Sequence, residues 1–134
     1  MTEEERLNLS PEEVLREFFT SYANKNQHDM EFFLDQRHHG ILWNLRNLKS
    51  LRLISIERTT DYKVEREINS EDGGNMIKQA STLGYQIETF LVTTEQIFFR
   101  ESDSNWHNGE LTETYILVKK TEDSPWEIYS FGFD

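Results

Sequence analysis

Cysteine is absent from this chain of 134 residues. Its absence excludes disulfides, thiolate metal sites and a cysteine nucleophile, although it does not fix the compartment. Long apolar runs are absent too, since runs such as 97–99 fall far short of the roughly 20 residues that cross a bilayer. The amino end, Met1-Thr2-Glu3-Glu4-Glu5, lacks the basic character of a signal region. We therefore expect no direct membrane insertion, and either a cytoplasmic protein or an extracytoplasmic one whose leader has been removed.

Basic residues are scarce, with 14 Lys and Arg against 25 Asp and Glu for a net charge of −11. Such a surface repels the phosphates of nucleic acids and anionic lipids, so we expect no nucleic-acid partner. Only the stretch 37–58 is locally basic, because five cations face a single acid there: Arg37, Arg46, Lys49, Arg52 and Arg58 against Glu57. These cations either balance the charge of an acidic molecule or form an anion-binding patch. Salt-dependent binding of a small anion would favour the patch.

The clearest element signal is a helix start at Ser10-Pro11-Glu12-Glu13. Ser10 can cap the helix, Pro11 suits its first position, and Glu13 can complete a capping box. Apolar residues then recur at helical spacing and predict one buried face that consists of Val14, Leu15, Phe18, Phe19 and Tyr22. The helix is expected to end near 24–26.

Two further helices are predicted before the first strand. Asp29 can cap the second helix, which would contain Phe32, Phe33 and Leu34 and end at His38-His39-Gly40. The apolar stretch 41–45 predicts a short third helix.

Strand patterns begin at Leu48. Apolar residues alternate along 51–56, but their phase slips at Leu53-Ile54, which predicts a β-bulge. Strands are also predicted over 85–100, 111–120 and 126–133, with short turns that indicate an antiparallel meander. Between them, 71–75 is a loop by composition, whereas 62–68 and 76–83 are either short helices or irregular.

This order predicts an α+β fold in which amino-terminal helices pack within a curved antiparallel sheet of about four strands. We expect one domain over 1–134, with 1–9 flexible.

The order of elements resembles the nuclear transport factor 2-like superfamily, also called the cystatin-like α+β cone. The stretches 10–14, 47–56 and 123–128, with Gly132 near the end, resemble more closely a bacterial family called domain of unknown function 4829. The resemblance implies a cone-shaped α+β roll, often a homodimer through the sheet, and an extracytoplasmic protein that follows a lipoprotein leader. It implies no reaction.

The densest group of titratable side chains comprises Asp35, His38 and His39, with Glu31 four residues before Asp35. On a helix, Asp35 and His38 would share a face and could pair an acid with a base or hold a divalent metal. The alternative is a solvated helix end, where a cationic histidine suits the dipole. We predict no metal site and no cofactor.

In isomerase-like relatives within that superfamily, a tyrosine on the first helix stabilises an enolate oxygen beside a buried acid, and Tyr22 is the matching candidate here. Its partner acid stays open among Asp61, Glu88 and Glu113, since alternation does not settle which of them points inward. The alternative is a core tyrosine. An apolar ligand pocket is predicted from Tyr22, Trp43, Phe90, Tyr115 and Trp126, although aromatic residues in a small sheet protein also form its core.

Three functions remain open at this point. The first is a non-catalytic module that binds a small apolar ligand or a protein partner, which the missing catalytic motif and the aromatic residues favour. The second is an enzyme that performs proton transfer or hydrolysis with Asp35, His38 or Tyr22 in the cone cavity. The third is a structural homodimer in a cell-envelope assembly, which predicts an apolar interface above roughly 1,000 Å².

Overall fold

The computed structural model describes residues 1–41, 43–59, 75–101 and 107–133. Within them the helices are α1 (Glu3–Leu7), α2 (Pro11–Ala23), α3 (Gln27–Phe32) and α4 (Asn75–Thr82). The strands are β1 (Leu48–Arg58), β2 (Gln86–Phe98), β3 (Gly109–Lys119) and β4 (Trp126–Phe133). Two short 3-10 turns, Gln36–His38 and Leu45–Asn47, lie between α3 and β1. The predicted α+β architecture is confirmed.

Helix α2 forms where the sequence predicts it. The Ser10 hydroxyl accepts a hydrogen bond from the Glu13 N–H, and the Glu13 carboxylate accepts one from the Ser10 N–H, so the capping box is complete. Pro11 occupies the first turn, and the helix ends at Asn24. One face of the helix is buried and consists of Val14, Leu15, Phe18 and Phe19.

The four strands form one antiparallel sheet in the order β1-β2-β3-β4. The predicted bulge in β1 is confirmed by a register shift between Leu53 and Ser55. A second shift lies at the start of β1, and a third lies between β3 and β4, where Ile116 pairs with Ser130 and Leu117 pairs with Ile128. Bulges bend a strand and increase its twist, so these shifts curve the sheet around α2.

The sheet has two faces, which we call inner and outer. The inner face packs against α2 and α3 in the main core, where Phe18 is fully buried. Burial of a side chain of that size contributes about 2 kcal/mol. The outer face is covered at one end by α4, in a smaller cluster of Ile77, Ala80, Ile116, Val118 and Tyr129.

The second helix differs from its prediction at both ends. Its cap is Asn26, whose side chain accepts from the Asp29 N–H, so Asp29 lies inside the first turn and the prediction was wrong. The helix also ends at Phe32, before Phe33 and Leu34. The next backbone groups bond to β4 instead, because Ile128 donates to the Phe33 carbonyl and Asp35 donates to the Ile128 carbonyl. These bonds cover the edge of β4 and prevent the helix from continuing.

The predicted third helix over 41–45 is also wrong. Residues 41, 43 and 44 have no regular secondary structure, and only a 3-10 turn begins within the stretch, at Leu45–Asn47. Asn44 adopts left-handed backbone angles, with φ of 52°, which no right-handed helix accommodates.

Two remaining predictions concern less regular stretches. Residues 76–83, for which helix and irregular structure were both open, lie largely in α4. The predicted segment 62–68 lies outside the described residues, as do residues 71–74 of the predicted loop 71–75, whereas Asn75 begins α4. The amino-terminal stretch 1–9, for which we expect flexibility, contains α1 with a capping box between Thr2 and Glu5.

Candidate functional site

An aromatic cluster lies where the carboxyl end of α2 meets the inner face of β3 and β4. The Tyr22 and Trp43 rings meet edge to face with their centroids 5.3 Å apart. Phe131 stacks on Trp43 at 5.6 Å and on Tyr115 at 5.5 Å. The whole cluster comprises Phe18, Phe19, Tyr22, Trp43, Tyr115 and Phe131.

A carboxyl group joins this cluster from β3. Glu113 lies two residues before Tyr115, so both side chains point to the inner face. Across the sheet, Glu113 is opposite Val92, and Tyr115 is opposite Phe90. Both of these β2 residues are buried. Glu113 therefore belongs to the same inner surface as the tyrosines, and we call Tyr22, Trp43, Glu113, Tyr115 and Phe131 the aromatic site.

The pKa values of the titratable groups at the aromatic site are shifted in the direction that burial away from water produces. Burial raises the pKa of Glu113, and no cation among the described residues opposes this effect. Burial, together with the nearby Glu113 charge, raises the pKa of Tyr22 to about 12. The same two causes, with Tyr22 added, raise the pKa of Tyr115 well above its ordinary value. The site thus holds a carboxyl with increased proton affinity beside two hydroxyls that stay protonated.

Other polar groups line the same face. Trp43 Nε1 is buried and has no hydrogen-bond acceptor in the part of the chain that the structure describes. Further along β2, the buried side chains of Thr94 and Gln96 follow Val92 on the inner face. Gln96 Nε2 donates to Thr94 Oγ1 at 3.1 Å. The inner surface therefore changes from apolar near Phe90 to polar near Gln96.

The structure brings three of the five predicted pocket residues into one site. Tyr22, Trp43 and Tyr115 contact each other directly or through Phe131. Phe90 lies opposite Tyr115 within the core, and it is 1% exposed. Trp126 is apart from them, since it pairs with Lys119 at the far end of β4. Whether any ligand contacts these residues stays a prediction.

Asp35 lies at the edge of the sheet in a network of ion pairs. Its buried carboxylate accepts from Lys120 Nζ and from Arg37 Nε, each at 2.7 Å. Burial alone would raise the pKa of Asp35, but hydrogen bonds from Lys120 and Arg37 outweigh it and lower the pKa to about 2. Asp35 is therefore held ionised by two cations, and we call Asp35, Arg37 and Lys120 the Asp35 network.

The two histidines beside Asp35 bond to different groups. His38 Nε2 lies 2.7 Å from the Tyr129 carbonyl oxygen, and His39 Nε2 lies 3.2 Å from the Leu34 carbonyl oxygen. The Glu31 carboxylate accepts from the Gly40 N–H. Since α3 ends at Phe32, Asp35 and His38 share no helix face, contrary to the expected geometry. Proton transfer at Asp35 and His38 stays a prediction.

A cavity of about 410 Å³ lies between α1, α3 and β4. Arg6 lines it, with its guanidinium 4.6 Å above the Phe32 ring and 3.5 Å from the Glu127 carboxylate. The sequence analysis missed this cavity because it treats 1–9 as flexible, although Thr2 and Glu5 have the spacing of a capping box. The lining comprises Glu3, Arg6, His28, Glu31, Phe32, Leu34, Gln36, His39 and Glu127. Among the described residues, no group of three or more histidines and acids is arranged to hold a metal ion.

The structure distinguishes between the acids that the sequence left open as partners of Tyr22. Glu88 is ion-paired with Arg58, and Asp61 lies outside the described residues. Glu113 points into the aromatic site. Its spacing of two from Tyr115, itself a predicted pocket residue, is the sequence signal that identifies it.

The outer face beyond α4 is largely polar on β1, β2 and β3. Thr93 and Thr112 face each other across β2 and β3 with their hydroxyl oxygens 2.8 Å apart. Arg52 and Glu95 form an ion pair at 3.6 Å across β1 and β2. A homodimer through the sheet stays a prediction, and on this face it would bury hydroxyls and charges.

In the described part of the chain, none of the helices has the length and apolar character that crossing a bilayer requires.

Comparisons with known proteins place the chain in a family. No curated protein and no solved structure matches the chain. The model of a family described as Domain of unknown function (DUF4829) matches residues 12–132, nearly the whole chain, and the chain therefore belongs to that family.

Proposed function

We propose that the protein binds a small, largely apolar, uncharged ligand at the aromatic site. The observation that carries the proposal is the convergence of polar groups on one aromatic surface. These groups are the Glu113 carboxyl, the Tyr22 and Tyr115 hydroxyls and the buried Trp43 indole N–H. Ligand sites combine apolar walls with a few convergent polar groups of perturbed pKa, which is the pattern found here.

The polar groups argue against a purely structural core. A buried donor without an acceptor costs about 1–3 kcal/mol, and Trp43 Nε1 is such a donor within the described residues. A ligand oxygen beside Trp43 would remove this cost. Burial also disfavours the ionised form of Glu113, and a ligand hydroxyl would stabilise that carboxylate by donating to it.

These groups define the chemical class of the ligand. Its body would be an apolar ring or chain that stacks between aromatic side chains. It would present an oxygen acceptor to Trp43 and a hydroxyl or N–H donor to Glu113. An organic anion fits poorly, because its charge would lie beside the Glu113 carboxylate, where the described part of the chain provides no cation to compensate it.

The resemblance to the nuclear transport factor 2-like superfamily supports this location. We infer that the chain adopts the cone of that superfamily, whose cavity lies between the first long helix and the sheet. In this chain, Tyr22 of α2 packs against the core cluster that contains Tyr115 of β3. From the family resemblance we also infer an extracytoplasmic location, in which the domain follows a lipoprotein leader.

The first test is native mass spectrometry of the purified protein, followed by titration with the neutral fluorescent probe N-phenyl-1-naphthylamine. We expect a retained small molecule or saturable probe binding that quenches Trp43. Tyr22→Phe and Glu113→Gln should weaken binding of an added naphthol competitor about tenfold each, as expected for a lost hydrogen bond in a dry site. Tyr85→Phe, on the outer face, is the matched control and should change nothing. The proposal fails if the probe does not bind, or if all three variants behave alike.

A second candidate function is proton transfer at a carbon next to a carbonyl. The observation in its favour is the raised pKa of Glu113 beside Tyr22. The Glu113 carboxylate would accept the proton, and Tyr22 would donate a hydrogen bond to the enolate oxygen. The test is deuterium exchange into 2-tetralone, followed by NMR. Exchange that Glu113→Gln abolishes supports the enzyme, whereas exchange at the buffer rate leaves only ligand binding.

A further inference from the structure

Several cationic residues and an exposed phenylalanine lie at the end of the sheet where β2 ends and β1 begins. Asn47 joins the two strands there, because its side chain donates to the Arg100 carbonyl at 2.8 Å and accepts from the Arg100 N–H at 3.0 Å. The Asn47 carbonyl also accepts from the Phe99 N–H at 2.9 Å. Arg46 and Lys49 lie within two residues of Asn47 and are exposed. The start of β1 and the residues that follow β2 therefore bring cations to the same end of the sheet.

Phe99 is the apolar centre of this surface. Its side chain is 65% exposed, the highest value among the large hydrophobic residues in the described part of the chain. Lys25, just past the end of α2, places its Nζ 5.4 Å from the centre of the Phe99 ring. We call Lys25, Arg46, Lys49, Phe99 and Arg100 the basic tip.

The cations of the basic tip differ from most of the other cations that the structure describes. Arg6, Arg37, Arg52, Arg58 and Lys120 each form an ion pair with an acid. In contrast, none of the four cations at the basic tip has an ion-pair partner among the described residues. The nearest acid in sequence, Glu101, accepts instead from the Asn108 N–H at 3.3 Å. In a chain of net charge −11, four cations without an ion pair to any described acid form a local positive surface beside the exposed ring.

We propose that the basic tip contacts an anionic lipid surface peripherally, with Phe99 in the headgroup region and the four cations facing lipid phosphates. Peripheral binding of this kind combines a partly immersed apolar side chain with attraction between Lys or Arg and anionic lipids. The charges are complementary, and a protruding ring needs no matching pocket in a bilayer. A stable complex with an acidic protein would need a complementary interface of about 1,000 Å² or more. The five side chains of the basic tip are too few to form an interface of that size.

The negative charge of the whole molecule does not prevent this contact. At physiological ionic strength, charges separated by more than about 8 Å are largely screened from each other. A phosphate at the basic tip therefore interacts with the four local cations far more strongly than with acids elsewhere on the molecule. Binding should weaken steeply as salt is added.

The test is flotation of the full chain with vesicles of phosphatidylglycerol and phosphatidylcholine, compared with vesicles of phosphatidylcholine alone. We expect binding to the anionic vesicles only, lost at high salt. Each neutralised cation should lower the partition coefficient about fivefold, so the double variant Arg46→Gln, Lys49→Gln should lose about 25-fold. Phe99→Ser should lose about fivefold or more.

Matched controls come from the opposite end of β2. Lys78 is exposed on α4, and Leu83, just past that helix, is 56% exposed. Lys78→Gln and Leu83→Ser therefore remove one charge and one exposed apolar side chain away from the basic tip. They should leave vesicle binding unchanged, and equal losses in these controls would overturn the proposal.

Two other outcomes also count against a lipid partner. Absence of anionic-vesicle binding at low salt overturns the proposal directly. Binding to a polyglutamate peptide without binding to vesicles would assign the basic tip to an acidic protein instead. Because the aromatic site lies elsewhere, Phe99→Ser should leave binding of N-phenyl-1-naphthylamine intact, so the two proposals fail independently.

Discussion

Asp35 and Glu113 are both carboxyl groups shielded from water, yet their pKa values move in opposite directions. Two cations stabilise the Asp35 carboxylate and lower its pKa to about 2. Glu113 has no such partner among the residues that the structure describes, and burial raises its pKa. The difference separates two uses of a buried acid. Asp35 joins segments that are distant in sequence, because Lys120 lies 85 residues away from it.

Glu113 contributes no comparable contact and disfavours its own ionised form. A group that costs stability in the folded protein is a functional candidate rather than a structural one. Variants at the two positions should therefore affect stability with opposite signs, and the predictions below test that contrast.

The largest effect is expected at Asp35. Asp35→Asn would leave Lys120 and Arg37 without their buried partner and should lower the free energy of unfolding by about 3 kcal/mol. Lys120 and Arg37 are partly exposed, so water can hydrate them and keep the loss near the lower end for a broken buried pair. Urea denaturation at neutral pH measures it. Glu95→Gln, which breaks the exposed pair with Arg52, is the control and should cost well under 1 kcal/mol.

The pH dependence of the free energy of unfolding tests the same contrast between Asp35 and Glu113. The pKa of Asp35 is below its ordinary value of 3.8 in the folded chain, so the unfolded chain binds protons first. The stability from Asp35 is complete above that ordinary value and is lost as the pH falls toward 2. Its loss amounts to about 2 kcal/mol. The difference between wild type and Asp35→Asn should therefore shrink on acidification, and a constant difference would contradict the network.

Much of the fold follows from local pattern. The capping box of Ser10 and Glu13 defines the start of α2, and the phase slip at Leu53-Ile54 identifies the bulge in β1. The end of α3 was not predictable in this way. It depends on Ile128, which takes up the backbone groups of Phe33 and Asp35 from almost a hundred residues away.

The sites show the same limit. Tyr22, Trp43 and Tyr115 were predicted as pocket residues because they are aromatic, and the structure places them together. Asp35 was grouped with His38 by sequence spacing, but its partners are Arg37 and Lys120. An ion pair with Lys120 leaves no local pattern, since any of several distant cations could have supplied it.

Substitution of Glu113 should change the stability of the protein in the direction opposite to substitution of Asp35. Its pKa in the folded chain lies above the ordinary value of 4.5, so the folded state binds the proton more tightly, and stability falls as the pH rises through this range. Glu113→Gln removes this cost and should stabilise the protein at neutral pH, on the order of 1 kcal/mol. Thermal unfolding measured from pH 7 to pH 4 should show the variant and wild type converging on acidification. A destabilised variant would mean that Glu113 is compensated in the folded protein, which would weaken its assignment to a ligand site.

The smallest effect is expected at Trp43. Trp43→Phe removes packing against Tyr22 and Phe131, but it also removes an indole N–H that lacks an acceptor within the described residues. The two effects oppose each other, so the net loss of stability should stay below about 1 kcal/mol. Urea denaturation of the variant measures this loss, and Phe131→Leu is the comparison, because it removes a ring from the same stack without removing a polar atom. If Trp43→Phe costs more than Phe131→Leu, the indole N–H has an acceptor in solution. The polar group that most directly calls for a ligand oxygen would then already be satisfied by the protein.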